Sequence, residues 1–461
     1  MINQAKNIFF LGIKGVAMAN LAIILQKMGK KVSGCDVEEE FLTDMALKKY
    51  KIKVFKGFNF LPKNVDLMIY SAAHGGLKNP LIEEGRKKGA KIISQPELIE
   101  GIMTDFKLKL AVCGCHGKTT TASLLAYCLI KLNQKPSYLV GAPSFNSYLG
   151  GDYLGEKKYF VVEADEYAVD PPEDTRPKFF FLKPDWIIAT NIDYDHPDVY
   201  PNIEVTKKAF YKFFSGVNLI LNIDNQYLDE FYQKNKDIKQ DKIISFGFSK
   251  KADYQITNWQ LSTSGSQFTI KDWGEFSINL TGKHNILNAT AVIVQLLHLG
   301  FKAGDIKKAI AGFFGAKRRM EEIFANKKIT IIDDYAHHPA EIKSTIEALK
   351  LKFKKRRLVL VFQPHTYSRT IALIDDFKKS LALADLVFVL PIFSSAREGQ
   401  GKIKISSEQL TQGNDRLFYV ATKEQLLDKL SQIIKKGDII VTMGAGDVYQ
   451  LGEAIKKLII N

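Results

Sequence analysis

The chain has 461 residues, of which 46% are hydrophobic and 25% are charged, and its formal net charge is +15. This length predicts about three domains of roughly 150 residues each. Apolar runs such as LVLVF at 358–362 are far shorter than the roughly 18 residues of a membrane span, so we expect no membrane segment. The four cysteines predict no disulfide framework at this length.

The 65 lysines and arginines are scattered in short clusters and do not form an arm interleaved with aromatic residues. This pattern is typical of a solvated, lysine-rich surface, so we expect no nucleic-acid partner. The positive charge is also compatible with polyanionic small-molecule ligands. The N-terminus lacks a basic start followed by a long apolar region, which predicts a cytoplasmic protein.

Strand-like and helical patterns alternate from the start of the chain. Strands are predicted at NIFFLGI (7–13), KVSGCD (31–36) and VDLMIYSAA (65–73), with helices at 15–29 and over LTDMALKKY. Such alternation is typical of parallel βαβ units in a covered sheet. We expect this first block to occupy residues 1–104, up to the polar joint TDFKL.

The second block, predicted at 105–314, opens with the strand LKLAVCG (108–114). It continues through the strands KYFVVEADE (158–166) and WIIATNIDYDH (186–196). The alternating residues 254–280 predict antiparallel hairpins added to a parallel core. Two helices, at about 284–299 and 303–314, are predicted to close this block.

The third block, predicted at 315–461, repeats the alternation of strands and helices. Its predicted strands are 328–334, 357–364, 384–393 and 438–446, with helices from 339 and 370 and a helix at the end. The predicted fold class is therefore α/β, with three α/β domains in series.

The segment GCHGKTTT follows the first strand of the second block and resembles a phosphate-binding loop. Its glycines, Gly114 and Gly117, are closer together than in the usual G-x-x-x-x-G-K-[ST] pattern. Backbone N–H groups at the following helix N-terminus favour phosphate. Lys118 would contact the β- and γ-phosphates, and the Thr119 hydroxyl would bind Mg²⁺. The alternative is a chance GKT at a helix start, but the preceding apolar strand favours the nucleotide site.

Acids and a histidine follow two more strands of the second block. Glu163 and Asp165 of VVEADEY are predicted to share one strand face, and Glu163 is placed to bind the Mg²⁺ of ATP. His196 ends TNIDYDH among hard oxygen donors. Further on, GKHNILNAT puts His284 and Asn288 on one helical face, where they suit an adenine edge or a phosphate tail. A solvated strand end and ordinary helix capping are the alternative interpretations.

The third block carries three further polar motifs. The paired arginines of GAKRRMEE could stabilise charge on a transferring phosphoryl group. DDYAHHPAEI (333–342) sets two acids and two histidines at a strand-to-helix turn, with Pro339 suited to the first helical position. His365 and Arg369 of FQPHTYSRT follow the next strand, and Arg369 could hold a substrate carboxylate.

Taken together, these motifs resemble the Mur ligase family of ATP-dependent amino-acid ligases, which carries a short G-x-x-G-K-T loop. The resemblance runs nearly end to end, through GIKGVAM, SGCD, GCHGKTTT, EADE, TNIDYDH, GKHNILNAT, GAKRRME, DDYAHHPAEI, FQPHTYSRT and TMGAGD. It implies a Rossmann-like UDP-binding domain, a central P-loop ATPase-type domain with added antiparallel strands, and a Rossmann-like C-terminal domain.

The resemblance implies a ligation that belongs to peptidoglycan precursor synthesis. ATP would phosphorylate the carboxylate of UDP-N-acetylmuramate to an acyl phosphate, which the amine of L-alanine would attack. FQPHTYSRT, DDYAHHP and VSGCDVEEEF are similar to the members that use L-alanine. The segment 163–179 is similar to the recycling members that attach a murein tripeptide, so this donor stays an alternative. A non-catalytic nucleotide-sugar-binding protein is an alternative of a different class.

The resemblance also implies roles for individual residues. Lys118, Glu163, His196 and Arg319 would be catalytic, and Thr119, Glu163 and His196 would bind two Mg²⁺ ions. The implied ATP-binding residues are Gly114, Cys115, His116, Gly117, Lys118, Thr119, Thr120, His284, Asn285, Asn288, Arg319 and Asp334. The implied UDP-sugar-binding residues are Gly12, Lys14, Gly15, Val16, Asp36 and Ser71. The implied amino-acid-binding residues are Tyr335, His337, His365 and Arg369.

The loop GIKGVAM at 12–18 is a weak dinucleotide fingerprint, because Lys14 and Ala17 stand where glycines are usual. Since the resemblance implies that this domain holds UDP, we expect no NAD and no redox chemistry. We expect a monomer or a weak homodimer.

Overall fold

The computed structural model describes residues 2–237, 242–394 and 405–460, and the predicted α/β class is confirmed. Across these ranges, three large sheets follow one another along the chain, accompanied by one two-stranded hairpin. None of the helices in the described ranges combines the length and the apolar character that crossing a bilayer requires.

The first sheet is parallel throughout, with helices after β1, β2, β4 and β5. It contains β1 (Asn7–Leu11), β2 (Lys31–Asp36), β3 (Lys53–Lys56), β4 (Leu67–Tyr70) and β5 (Lys91–Ser94), in the order β3-β2-β1-β4-β5. Its helices are α1 (Val16–Lys27), α2 (Asp44–Lys49), α3 (Pro80–Lys87) and α4 (Gln95–Met103).

The central sheet has a parallel middle and antiparallel margins. Its strands are β6 (Leu108–Cys113), β7 (Ser137–Phe145), β8 (Tyr148–Asp152), β9 (Tyr159–Glu163), β12 (Trp186–Ala189), β13 (Asn218–Asn222), β14 (Ile243–Gly247), β15 (Tyr254–Ser262), β16 (Gly265–Ile270) and β17 (Gly274–Ile278). The separate hairpin is β10 (Ala168–Asp170) with β11 (Asp174–Pro177). The helices are α5 (Lys118–Lys131), α6 (Ile203–Phe214), α7 (Gln226–Asn235), α8 (Lys283–His298) and α9 (Ala303–Ile310).

The strand order of the central sheet is β17-β16-β15-β14-β13-β12-β6-β9-β7-β8. The antiparallel strands β15, β16 and β17 fall within the predicted stretch 254–280, so this prediction is confirmed. The antiparallel β7–β8 hairpin at the opposite margin was not predicted.

The third sheet is parallel except at one edge. It contains β18 (Glu321–Ala325), β19 (Thr330–Asp334), β20 (Leu358–Phe362), β21 (Leu386–Val389), β22 (Leu417–Tyr419) and β23 (Ile439–Met443), in the order β18-β19-β23-β20-β21-β22. Its helices are α10 (Pro339–Lys352), α11 (Tyr367–Ala372), α12 (Ile374–Leu381), α13 (Lys423–Ile433) and α14 (Gln450–Ile460). Pro339 is the first residue of α10, as predicted.

The middle strands of each sheet are buried on both faces. In β1, Ile8 and Phe10 belong to one apolar cluster, whereas Phe9 and Leu11 belong to another. Alternate residues of β6 and β20 divide between two clusters in the same way. This two-sided burial explains why these strands are continuous apolar runs in the sequence.

Several predicted boundaries are wrong. The strand predicted at 186–196, for example, ends at Ala189, so the acids and His196 follow it. The strand predicted at 158–166 ends at Glu163, so Asp165 and Glu166 lie beyond it and the predicted alternation of faces does not apply to them. The chain bends away here because Phe179 donates its backbone N–H to the Asp165 carbonyl. The helix predicted from 370 begins at Tyr367 and is interrupted at Leu373 before α12.

The hairpin β10–β11 makes a hydrogen bond that connects the unit of the first sheet to the unit of the central sheet. Asp170 at the end of β10 accepts the Leu77 backbone N–H at 2.8 Å. Gly76, which has φ +49°, lies so close to this carboxylate that a Cβ atom would come within 2.1 Å of Asp170 Oδ1. Gly76 therefore provides both a backbone conformation and a space that no other residue provides.

Substituting Gly76→Ala should lower the free energy of unfolding by roughly 2–4 kcal/mol, from backbone strain together with the loss of the Asp170 hydrogen bond. The neighbouring Gly75→Ala is the matched control. Gly75 also has positive φ, but nothing lies within 4 Å of its Cβ position, so only backbone strain is expected. The shift of the urea unfolding midpoint measures the effect of each substitution. Equal shifts for the two variants would contradict this packing.

Candidate active site

The candidate site lies where the carboxyl ends of neighbouring strands meet. Strands β12, β6 and β9 are adjacent and parallel, so the loop after Cys113, the end of β9 at Glu163 and the segment after Ala189 share one edge of the sheet. In open α/β sheets this edge is the usual place for ligands. The three predicted motifs of the second block therefore lie together.

The glycines of the phosphate loop fit tightly against their neighbours. Gly114 has φ +133°, and a Cβ there would lie 2.1 Å from the Thr190 hydroxyl. Gly117 has φ +80° and precedes α5, and a Cβ there would lie 2.8 Å from the Asn288 side-chain oxygen. Lys118, Thr119 and Thr120 form the first turn of α5, with its N-terminus directed at the loop.

Lys118 forms a buried ion pair that was not predicted. Its ammonium lies 2.9 and 2.8 Å from the two carboxylate oxygens of Glu166 and donates to the Gly114 carbonyl at 2.6 Å. Burial alone would lower the pKa of Lys118, but the carboxylates of Glu166 and Glu163 raise it above its ordinary value. Glu166 is itself only 2% exposed, so each charge depends on the other.

Thr119, Glu163 and Arg319 form a second contact group. The Thr119 hydroxyl donates to Glu163 Oε1 at 3.2 Å and accepts a hydrogen bond from Arg319 Nη2 at 3.0 Å. Glu163 also accepts the Gly141 backbone N–H at 2.7 Å, and burial raises its pKa above the ordinary value. A half-buried carboxylate beside a hydroxyl suits a divalent cation with oxygen ligands, so Thr119 and Glu163 fit Mg²⁺.

The third predicted metal ligand, His196, lies against a different carboxylate. Its Nε2 is 3.5 Å from Glu166 Oε1 and 3.7 Å from Asp195 Oδ2. The backbone at His196 has φ +56°, and its ring packs on Tyr167 at 4.8 Å between centroids. The structure thus groups Thr119 with Glu163, and His196 with Glu166.

A cavity of about 630 Å³ opens between the central and third sheets. It is lined by predicted ATP-binding residues from both: His116, Gly117, Thr120, His284, Asn285, Asn288, Arg319 and Asp334. Sequence reasoning missed other lining residues, among them Asn146 and Phe314, because isolated residues in loops carry no motif signal. The exposed ring of Phe314 offers an apolar surface at this cavity.

Two ionisable residues of this cavity have strongly shifted pKa values. Burial lowers the pKa of His284 to about 4, so its ring is neutral at physiological pH. Burial raises the pKa of Asp334 to about 6, although hydrogen bonds from Thr345 and the Ala336 backbone oppose this shift. Carboxylates with raised pKa values in a cavity are common at functional sites.

His116 joins the phosphate loop to the third sheet. Its Nε2 lies 3.2 Å from Asp193 Oδ2, and its Nδ1 lies 3.3 Å from Glu341 Oε1 of α10. Burial disfavours the imidazolium, but these two carboxylates raise the pKa of His116 to about 10. The adjacent Cys115 exchanges contacts of 3.2 Å with the Asp193 backbone.

The predicted amino-acid-binding residues also lie together. The ring of His337 is 5.3 Å from that of Tyr335 and 5.9 Å from that of His365, between centroids. Arg369 is 3% exposed and donates to Asp195 Oδ1 at 2.8 Å, across the junction between the third and central sheets. The Arg369 guanidinium, predicted to hold a substrate carboxylate, therefore already has a carboxylate partner.

The predicted UDP-sugar-binding residues surround the start of α1. Gly12 has φ +76°, Gly15 precedes α1, and Val16 is its first residue. The Lys14 backbone N–H donates to Asp36 at 2.6 Å, and a Cβ on Gly12 would lie 3.9 Å from the Ser71 hydroxyl.

His74 was missed by sequence reasoning at this first-sheet site. Its Nε2 lies 3.3 Å from Asp36 Oδ1. Its ring packs on Phe58 at 4.6 Å between centroids, and its backbone has φ +58°. A single histidine in an irregular loop gave no signal in the sequence.

A phosphate loop, buried acids beside it and arginine across a cavity are typical of an enzyme that transfers a phosphoryl group from a nucleotide. Residues 7–107 match the Mur ligase family catalytic domain, 112–296 the Mur ligase middle domain, and 318–446 the Mur ligase glutamate ligase domain. The chain belongs to the Mur ligase family.

Curated relatives cover nearly the whole chain. The UDP-N-acetylmuramate–L-alanine ligase of Desulfitobacterium hafniense (strain Y51) is 36% identical over 97% of this chain and 99% of its own length. The enzyme of the same name from Lactobacillus helveticus (strain DPC 4571) is 37% identical over 100% of both chains.

Solved structures share the fold. The UDP-N-acetylmuramate–alanine ligase of Thermotoga maritima superposes with a TM-score of 0.80 at 25% identity, covering 98% of both chains. A murein peptide ligase of Psychrobacter arcticus 273-4 has a TM-score of 0.74 at 23% identity, covering 99% of both, and this likeness concerns the fold alone.

Substituting Asp334→Asn should stabilise the protein at neutral pH. Because the pKa of Asp334 in the folded state is about 6, against 3.8 ordinarily, stability declines as the pH rises from the lower value through the higher one. A difference of two pKa units corresponds to about 3 kcal/mol. Well above pH 6, we expect Asp334→Asn to raise the free energy of unfolding by roughly 1–3 kcal/mol. The gain should vanish in acid, where Asp334 is protonated.

Urea unfolding of the wild type and the variant, on both sides of pH 6, measures this gain. The exposed Asp376→Asn is the control and should change nothing. A gain that is the same at both pH values would mean that the carboxylate charge is not the cause.

Proposed function

We propose that this protein joins L-alanine to the carboxylate of UDP-N-acetylmuramate with consumption of ATP, as a step in making peptidoglycan precursors. The single observation that supports the nucleotide chemistry best is the cavity between the central and third sheets, which is lined by Gly117 of the phosphate loop and by Arg319, whose Nη2 donates to the Thr119 hydroxyl. The curated relatives named UDP-N-acetylmuramate–L-alanine ligase support the choice of substrates.

In the first step, a carboxylate oxygen of the sugar attacks the γ-phosphorus of ATP, and ADP leaves. Negative charge develops on the transferring phosphoryl group, where the Lys118 ammonium and the Arg319 guanidinium would stabilise it. To reach the phosphates, Lys118 has to reduce its contact with Glu166. The buried Glu166 carboxylate then needs another positive partner, and His196 Nε2, which would contribute to a second Mg²⁺ ion, lies 3.5 Å from it.

Thr119 and Glu163 would hold a Mg²⁺ ion, and His196 would contribute to a second ion. Bound there, the metal would neutralise phosphate charge and orient the phosphoryl group. Gly141 leaves room for the Glu163 carboxylate, since a Cβ at this position would lie 2.5 Å from Glu163 Oε2. The Gly141 N–H thus holds Oε2 of Glu163, while Oε1 faces the Thr119 hydroxyl.

In the second step, the amine of L-alanine attacks the acyl carbon, phosphate leaves, and the amine loses a proton. Tyr335, His337, His365 and Arg369 would surround the amino acid. Burial lowers the pKa of His337 to about 3, so its ring stays neutral and can accept a hydrogen bond. For Arg369 to hold the alanine carboxylate, its remaining N–H groups would have to serve, because Nε is bonded to Asp195.

The domain built on the first sheet would bind the UDP-sugar. Gly12, Lys14, Gly15, Val16, Asp36 and Ser71 would hold the UDP-sugar at the N-terminus of α1, where diphosphate is favoured. We propose domains at 1–104, 105–314 and 315–461, each centred on one of the sheets. We further propose that the protein works in the cytoplasm, as a monomer or weak homodimer, without NAD.

With Mg-ATP and UDP-N-acetylmuramate, the purified protein should release ADP and phosphate only when L-alanine is added. Parallel reactions contain the murein tripeptide, glycine, serine or no amine. A methyl group contributes only about 1–3 kcal/mol of discrimination, so weak turnover with glycine is expected. Turnover with the tripeptide alone would contradict the proposed donor. No turnover with any amine, despite UDP-sugar binding, would favour a non-catalytic protein.

Substituting Lys118→Ala should reduce kcat by at least about 100-fold, because a charge that stabilises the transition state is lost. The same change leaves the Glu166 carboxylate buried without its ammonium, so the melting temperature should fall as well. The matched variant combines Lys118→Ala with Glu166→Gln. It should recover stability and remain inactive. Recovery of turnover in this double variant would remove Lys118 from the mechanism.

A further inference from the structure

A cluster of two imidazoles and one carboxylate lies beside the nucleotide cavity, separate from the residues proposed for Mg²⁺. Within the described part of the chain, His116, Asp193 and His338 are the one group of histidine, cysteine and acidic residues whose ligand atoms all lie within 4.8 Å of one another. We propose that these three side chains form a binding site for a divalent transition-metal ion of the zinc class.

The donor set fits such an ion. Imidazole nitrogen suits Zn²⁺ and its neighbours in the transition series, whereas Mg²⁺ prefers oxygen ligands. The rings of His116 and His338 are 4.5 Å apart between centroids, and His116 Nε2 is 3.2 Å from Asp193 Oδ2. The Tyr194 carbonyl, 3.2 Å from His338 Nε2, supplies an additional oxygen next to the cluster.

The backbone already fixes two of the ligands. The His116 N–H donates to Asn191 at 2.9 Å, and its carbonyl accepts from the Thr190 hydroxyl at 2.6 Å. Asp193 Oδ1 accepts the Tyr194 N–H at 2.8 Å, which turns Oδ2 towards His116. Because little freedom remains to be lost, the ordering cost of binding an ion is small.

Glu341 lies next to His116 on the side of the ring that faces away from the proposed ion. Its Oε1 lies 3.3 Å from Nδ1, on the far side of the ring from Asp193, close to Nδ1 but not aligned as a hydrogen bond. A metal-bound histidine commonly donates its second N–H to a carboxylate, which fixes the ring and its tautomer. With His116 neutral, Asp193 and Glu341 place negative charge on both sides of its ring, which favours a bound cation.

His338 is the ligand contributed by the third sheet. It is the N-cap residue of α10, and its Nδ1 accepts the Ala340 N–H at 3.3 Å. Coordination through Nε2 puts a proton on Nδ1 and gives up this long hydrogen bond. An ion at this site therefore connects the phosphate loop to α10 and holds the third sheet against the central one.

The site has an opening to solvent. Asp193 is 41% exposed at its side chain, whereas His116 is 16% exposed and His338 is largely buried. An ion can therefore enter past Asp193 while the two imidazoles keep it from full hydration.

The test titrates Co²⁺ into the chelator-stripped, nucleotide-free full chain and follows the visible absorption of the bound ion. Zn²⁺ is then added as a competitor. We expect one Co²⁺ per chain, displaced by Zn²⁺ and unaffected by excess Mg²⁺. His338→Asn keeps a helix-capping side chain and removes the imidazole. It should weaken binding by about 100-fold or more, since even the loss of an orienting neighbour costs roughly 10–100-fold.

Glu341→Gln should weaken Co²⁺ binding by about 10–100-fold. His298→Asn, at the end of α8 and remote from the cluster, is the control and should bind as the wild type does. If His338→Asn fails to fold, as judged by circular dichroism, Asp193→Asn replaces it with the same expectation. No Co²⁺ absorption in the wild type would overturn the site. The same would follow if His338→Asn (or Asp193→Asn in its place) and Glu341→Gln bound Co²⁺ with the affinity of the wild type. His116 would then be an ion-pair partner only.

Discussion

The site depends on balancing buried charges across the junction of the central and third sheets. Lys118 and Glu166 are both largely buried, and Arg369 and Asp195 are at most 5% exposed. A buried ion without its partner costs several kcal/mol, so each partner has to be in place before water can leave the junction. Because Arg369 comes from the third unit and Asp195 from the central one, this ion pair forms only when the two sheets pack together, and the same holds for the hydrogen bond from Arg319 to Thr119.

The same constraint explains how the phosphate loop keeps its shape. Lys118 donates to the Gly114 carbonyl and to Glu166, so its ammonium is held against the phosphate loop. When a nucleotide binds, Lys118 would exchange its contacts with the Gly114 carbonyl and Glu166 for contacts with phosphate oxygens. Its ammonium would therefore keep negative partners throughout. The acids that follow β9 and β12 thus have two roles, because they stabilise the phosphate loop and can bind cations.

The sequence correctly indicated which motifs meet at the carboxyl edge of the central sheet. It did not indicate which side chains pair with one another there. Parallel strands with apolar runs end where polar motifs begin, so the phosphate loop, Glu163 and His196 could be placed together from their positions alone. Partners such as Arg369 and Asp195 are 174 positions apart and belong to different sheets, so no local pattern connects them. Glu166 was visible in EADE, but the expected strand ended at Glu163 because tertiary hydrogen bonds bend the chain there.

The most direct measurement is a crystal structure of the protein with Mg²⁺ and a non-hydrolysable ATP analogue. The γ-phosphate should contact Lys118 from the central sheet and Arg319 from the third unit, with Asp334 and Asn288 lining the same nucleotide. Glu166 should then be separated from the Lys118 ammonium or share it with the phosphate. A nucleotide held by central-sheet residues alone, with Arg319 directed away from it, would contradict a site formed by the junction of the two sheets.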